Sequence, residues 1–110
     1  MNVTIDRRKD YVVAAISGSI DSLSLDEFRE KTQPLLEKPG SDLLLDMAQV
    51  GYVNSDGLAR LVELNNAAKA EESSVVLISP PPLVRDVLRA TRLDTCMPIV
   101  DTLEEALAAR

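Results

Sequence analysis

Strand-like and helix-like segments alternate along this chain, and that alternation restricts the fold more than any other feature. Residues 3–7 (VTIDR) alternate apolar and polar as a half-buried strand does. Residues 11–17 (YVVAAIS) are nearly continuous and β-rich, which suits a more buried strand, and Lys9-Asp10 forms a short hairpin-like connection between the two. Leu43-Leu44-Leu45-Asp46 reads as a short buried strand closed by an acid, residues 74–79 (SVVLIS) as a buried strand of the parallel type, and residues 97–100 as a last short strand. Helical spacing fills the intervals. Leu25, Phe28, Thr32, Leu35 and Leu36 share one face behind a capping box, Ser24-Leu25-Asp26-Glu27. Pro34 predicts a kink near Gln33, with the helix continuing loosely to Lys38 and ending at Pro39-Gly40. Residues 56–72 form the clearest helix, with Leu58, Leu61, Val62, Asn65 and Ala68 on one side. Pro82 suits a first helical turn ahead of Leu83, Val87, Leu88 and Thr91, and Thr102-Leu103-Glu104-Glu105 opens a last helix through a second capping box. The order β-β-α-β-α-β-α-β-α demands an α/β fold with right-handed crossovers; the initial hairpin makes the sheet mixed, mostly parallel, of about five strands with about four helices. No repeat or long linker divides residues 1–110, so one domain is expected.

Composition narrows the function. A net charge of −6 argues against nucleic acid and against an anionic membrane surface, both of which need clustered Lys and Arg. The chain has no His, the commonest general base and metal ligand, so no cofactor or metal site is expected. Cys96 is the single cysteine, which rules out an internal disulfide and, with no signal-like N-terminus and no apolar run near the ~18 residues of a membrane span, points to the cytoplasm. Cys96 itself reads as a small core residue in a buried-looking strand. Arg85, Arg89 and Arg92 fall at helical spacings and read as a solvated stripe.

The chemistry concentrates in residues 51–61 (GYVNSDGLARL). An apolar-leaning run stops at Val53, and a helix-like pattern begins at Leu58. Ser55 is placed as the N-cap, accepting a backbone N–H, and Asp56 sits in the first turn where its charge favours the helix dipole. Gly57 is out of place in a helix, costing up to ~1 kcal/mol relative to Ala, so something must approach its backbone closely. Ordinary capping and a phosphorylatable docking surface both account for these four residues. Asp21 and Asp46 also close strands; Asp21 is read either as a cap of the following turn or as part of a partner surface, and Asp46 as a turn former.

Several pieces in order resemble the STAS domain, most closely the bacterial anti-sigma factor antagonists. They are SGSID (17–21), LLLDMAQVGYVNSDGLARL (43–61), LISPPPLVRDVLRATRLD (77–94) and DTLEEAL (101–107). The resemblance implies that Ser55 is phosphorylated by an anti-sigma factor that is also a serine kinase, that the unphosphorylated form binds that partner and the phosphorylated form lets go, and that a serine phosphatase resets the switch. It implies a partner surface of Asp21, Asn54, Ser55, Asp56, Gly57 and Leu58. The chain departs from the family motif at two places: Asn54 stands for the usual Asp and Asp56 for the usual second Ser, which leaves Ser55 as the one hydroxyl in the motif. These departures bear on kinase recognition and favour an alternative, a non-switching STAS scaffold subunit of a stress-sensing or lipid-transport complex. A response-regulator receiver with Asp46 as acceptor is disfavoured, because the first strand holds only Asp6 and no Lys follows Lys69. An enzyme is disfavoured too: Ser55 has no identifiable base and no phosphate-cradling glycine motif is present.

Overall fold

A computed structural model describes residues 1–110. The strands are β1 (Asn2–Arg7), β2 (Tyr11–Ser17), β3 (Asp42–Gln49), β4 (Val75–Ile78) and β5 (Ile99–Val100); the α-helices are α1 (Leu25–Thr32), α2 (Ser55–Ala70), α3 (Pro82–Ala90) and α4 (Leu103–Ala109). They form one five-stranded sheet in the order β1-β2-β3-β4-β5, with β1 antiparallel to β2 and the remaining pairs parallel. This is the mixed α/β architecture expected from the alternation.

Strands laid down in sequential order, joined by crossovers of one hand, carry their helices to one face. The main core shows this: Phe28 of α1, Leu61, Leu64 and Ala68 of α2, and Val84 and Leu88 of α3 all meet Ile16, Leu45, Met47 and Leu77 of the sheet. The opposite face is covered by α4, where Ala106 packs on Leu44, Val76 and Ile78. The central strands read as unbroken apolar runs because both of their faces are covered. The outer strand β1 is exposed at every position but Val3.

Several local expectations change. Ser24 does not cap α1: its φ of −103° and ψ of −2° are helical, so its hydroxyl cannot face the first-turn N–H groups and instead donates to the Ser19 carbonyl at 2.7 Å. Glu27 turns to Lys31 (3.3 Å) and the N-terminal amine (3.7 Å). Pro34 ends α1 as expected, but the chain continues only as one 3₁₀ turn, Gln33–Leu36. Asp46 does not close a strand. The inward alternation of Leu43 and Leu45 runs on to Met47, so β3 reaches Gln49 and Asp46 lies within it, accepting from the Ala48 N–H. Cys96 is exposed and lies outside any strand; a left-handed Arg92 (φ 62°) stops the helical path, a 3₁₀ turn over Leu93–Thr95 follows, and Met97 fills the core instead. Arg92 therefore leaves the stripe, and Arg85 pairs with Asp101. No helix is long and apolar enough to cross a membrane.

Candidate functional site

The site lies where β2 and β3 run out at their C-terminal ends. Beyond them the two connections are sewn together: Ile20 pairs in parallel with Val53, the Ile20 N–H donates to Tyr52 O at 2.9 Å, and the Asn54 N–H donates to Ile20 O at 3.2 Å. This seam delivers residues 21–24 to the N-terminus of α2.

Gly57 is the reason the seam closes. A Cβ on Gly57 would stand 2.3 Å from Ile20 O, inside any real contact, and a tight 3.0 Å from Ile20 Cγ2. The close approach read from the sequence is therefore made by the chain's own Ile20. Gly57 is buried and offers no side chain to a partner.

The cap is also reassigned. Asn54, not Ser55, holds the N-cap position: its backbone is extended (φ −96°, ψ −174°) and its Oδ1 accepts from the Gly57 N–H at 3.0 Å. Ser55 is the first helical residue and is exposed, so its hydroxyl is not consumed in capping. Asp56 beside it is exposed, and Leu58 is half-buried against the main core. Asp21 is half-buried, and its Oδ1 accepts from the N–H groups of Leu23 (3.0 Å) and Ser24 (3.2 Å), a turn-capping role.

The structure adds residues that local pattern did not reveal. Ser22 donates to Asp56 Oδ2 at 2.6 Å and accepts from Asn54 Nδ2 at 3.1 Å. Leu23, next to it, is 97% exposed. Tyr52 and Leu83 are exposed at the mouth of an apolar cleft of about 230 Å³ that Gly51, Val53, Val84 and Val87 complete. Single exposed apolar residues are ordinary, but Tyr52 and Leu83 share one apolar cleft, and Tyr52 lies three residues before Ser55 in the same connection, as apolar residues cluster on association surfaces. No single sequence period marks them, because they come from two connections and from α3. The two carboxyls held below their ordinary values lie elsewhere. Half-buried Glu27 is lowered by a hydrogen bond and attraction from Lys31. For Asp42, burial pushes the carboxyl up, but hydrogen bonds from Arg110 and Ser74 outweigh it.

A five-stranded sheet in this order, with a serine at the head of the helix after its third strand, defines the class. The family model described as "Mlab, STAS domain" matches residues 3–105, and the chain belongs to the STAS domain family. Among curated relatives, it is 32% identical over 77 residues to the anti-sigma-B factor antagonist of Bacillus subtilis (strain 168), covering 70% of each chain. Among solved structures, an anti-sigma factor antagonist from Mycobacterium paratuberculosis superposes with a TM-score of 0.88 at 22% identity, covering 98% of this chain and 92% of that one. The Bacillus cell fate determinant SpoIIAA in its phosphorylated form superposes with a TM-score of 0.73 at 18% identity, covering 98% of both chains, and its unphosphorylated form with 0.80 at 19%, covering 96% of this chain and 93% of that one.

Proposed function

We propose that this chain is an anti-sigma factor antagonist whose docking face is switched by phosphorylation of Ser55. The observation that carries the reading is the exposed Ser55 at the head of α2, its hydroxyl left free by the Asn54 cap. Unphosphorylated, the face formed by Asp21, Asn54, Ser55, Asp56 and Leu58 engages an anti-sigma factor serine kinase; Gly57 serves it by seating the helix under Ile20. Phosphorylated, it releases the partner, and a serine phosphatase restores it.

The physics is one of surface, not of refolding. A phosphate on Ser55 brings about −1.5 to −2 charge. At the N-terminus of the 16-residue α2 it meets free N–H groups and the positive end of the helix dipole, so the fold tolerates it. That SpoIIAA has this fold in both phosphorylation states supports the same tolerance here. A partner packed closely over Ser55 instead faces a desolvated dianion, and a loss of about 3 kcal/mol weakens binding more than about a hundredfold.

The test is incubation with the cognate anti-sigma factor kinase and ATP. Phosphate is expected on Ser55, Ser55→Asp is expected to weaken kinase binding about a hundredfold by the same arithmetic, and Ser55→Ala is expected to leave it intact. Phosphate on another residue, or full binding by Ser55→Asp, overturns the reading. A second reading, a non-switching scaffold subunit, is favoured by Asn54 and Asp56 and by the family model's own description. A pull-down that returns a transporter ATPase in place of a kinase decides for it.

A further inference from the structure

Two side chains flank Ser55 in sequence, Asn54 and Asp56, and both are tied to one atom. Ser22 Oγ accepts from Asn54 Nδ2 at 3.1 Å and donates to Asp56 Oδ2 at 2.6 Å, across 32 and 34 residues of chain. We infer that Ser22 is the positioning residue of the Ser55 acceptor, holding the Asp56 carboxylate so that it does not compete for the space of the incoming phosphoryl group; the inference rests on the phosphorylation reading above.

The hydrogen-bond inventory leaves little freedom. A serine hydroxyl has one proton, and it goes to Asp56; a short bond to a charged acceptor is among the stronger hydrogen bonds. The Asn54 amide is spent at both ends, Nδ2 on Ser22 and Oδ1 on the Gly57 N–H. One hydroxyl thus sets the amide that caps α2 and anchors the negative group next to the acceptor. The arrangement answers the chain's departures from the family motif: an acid placed after the serine repels a phosphate more strongly the closer its carboxylate lies, and the residue that fixes that carboxylate comes from the loop sewn down by Ile20. Without Ser22, the exposed Asp56 side chain rotates freely beside residue 55.

The test uses the full chain with phosphoserine installed at position 55 during translation, followed by a ³¹P NMR titration. The second pKa of a phosphoserine is ordinarily about 6. Ser22→Ala is expected to raise it by about half a unit relative to the otherwise wild-type phosphoprotein, the size of a solvent-screened charge pair a few Å apart. Salt at about 1 M should erase the rise, since the Debye length then falls to about 3 Å. Ser22→Thr, which keeps the hydroxyl, is expected to titrate like wild type, and Ser22→Ala with Asp56→Asn to return to the wild-type value or below. Identical titrations of wild type and Ser22→Ala overturn the inference, as does a double variant that stays as high as Ser22→Ala. No kinase takes part, so this outcome is separate from whether a kinase ever modifies Ser55.

Discussion

Gly57→Ala sets two effects of opposite sign against each other. Helix propensity alone favours the substitution by about 1 kcal/mol, since Gly57 lies in the first turn of α2. Packing opposes it. The new Cβ would lie 2.3 Å from Ile20 O, and the obstacle is backbone, which cannot rotate away as a flexible side chain does. Relief requires the 20–24 loop to lift from α2. That loosens the two bonds of the Ile20–Val53 bridge, from the Asn54 N–H to Ile20 O and from the Ile20 N–H to Tyr52 O, each worth about 1 kcal/mol, in addition to overpacking strain of about 1–3 kcal/mol. The expected balance is a destabilisation of about 2–4 kcal/mol, read as a lower urea midpoint at unchanged slope and a drop of about 10–20 °C in Tm. Amide shifts of Ser22 and Asn54 should move together, because the seam carries both. A variant as stable as wild type, or more stable, refutes the argument, since propensity would then outweigh a contact that costs nothing to relieve.

Further outcomes test other parts of the molecule. Asn54→Ala removes the cap of α2 and should cost about 1 kcal/mol in urea unfolding, whereas Asn54→Asp, which keeps an acceptor for Gly57, should cost less. Phe28→Ala empties a fully buried position between α1 and the sheet and should cost about 3–5 kcal/mol by the same measurement. Leu83→Ser lies at the cleft mouth, 77% exposed, so it should shift stability by less than about 0.5 kcal/mol while weakening partner capture in a binding assay. At the opposite end of the sheet, Asp42 accepts from Arg110 Nε at 2.7 Å and from Ser74, and its folded pKa lies below the unfolded value. The unfolded chain therefore binds the proton first: the stabilisation is present above about pH 4 and is lost as pH falls through the folded pKa. Asp42→Asn should unfold with a smaller change in urea midpoint between pH 7 and pH 3 than wild type.

The elements were legible where the pattern was local. Pro82 at the first turn of α3, Thr102 accepting from the Glu105 N–H at the start of α4, and the break at Pro34 all follow from two to four neighbouring residues. The misplaced ones show where local pattern fails. Ser24 has the right neighbours for a capping box, yet its loop is drawn toward Ser19 and Asp21 and the cap never forms. Asn and Ser are equally good caps, so residues 54–55 alone do not say which begins α2; the backbone path imposed by Ile20 against Gly57 goes with Asn54 as the cap and leaves Ser55 outside it. Cys96 adjoins an apolar run, but Arg92 in a left-handed conformation turns the chain before any strand can start.

From residue order alone came the alternation of strand and helix, hence the mixed sheet, and a serine at the head of one helix, because hydrophobic period and turn chemistry act over a few residues. The joining of Ser22 to Asn54 and Asp56, and the meeting of Tyr52 and Leu83 on one cleft, were settled only by the folded chain. Contacts spanning more than thirty residues are made by the parallel sheet, which brings the ends of separate strands to one edge, and no local period encodes them.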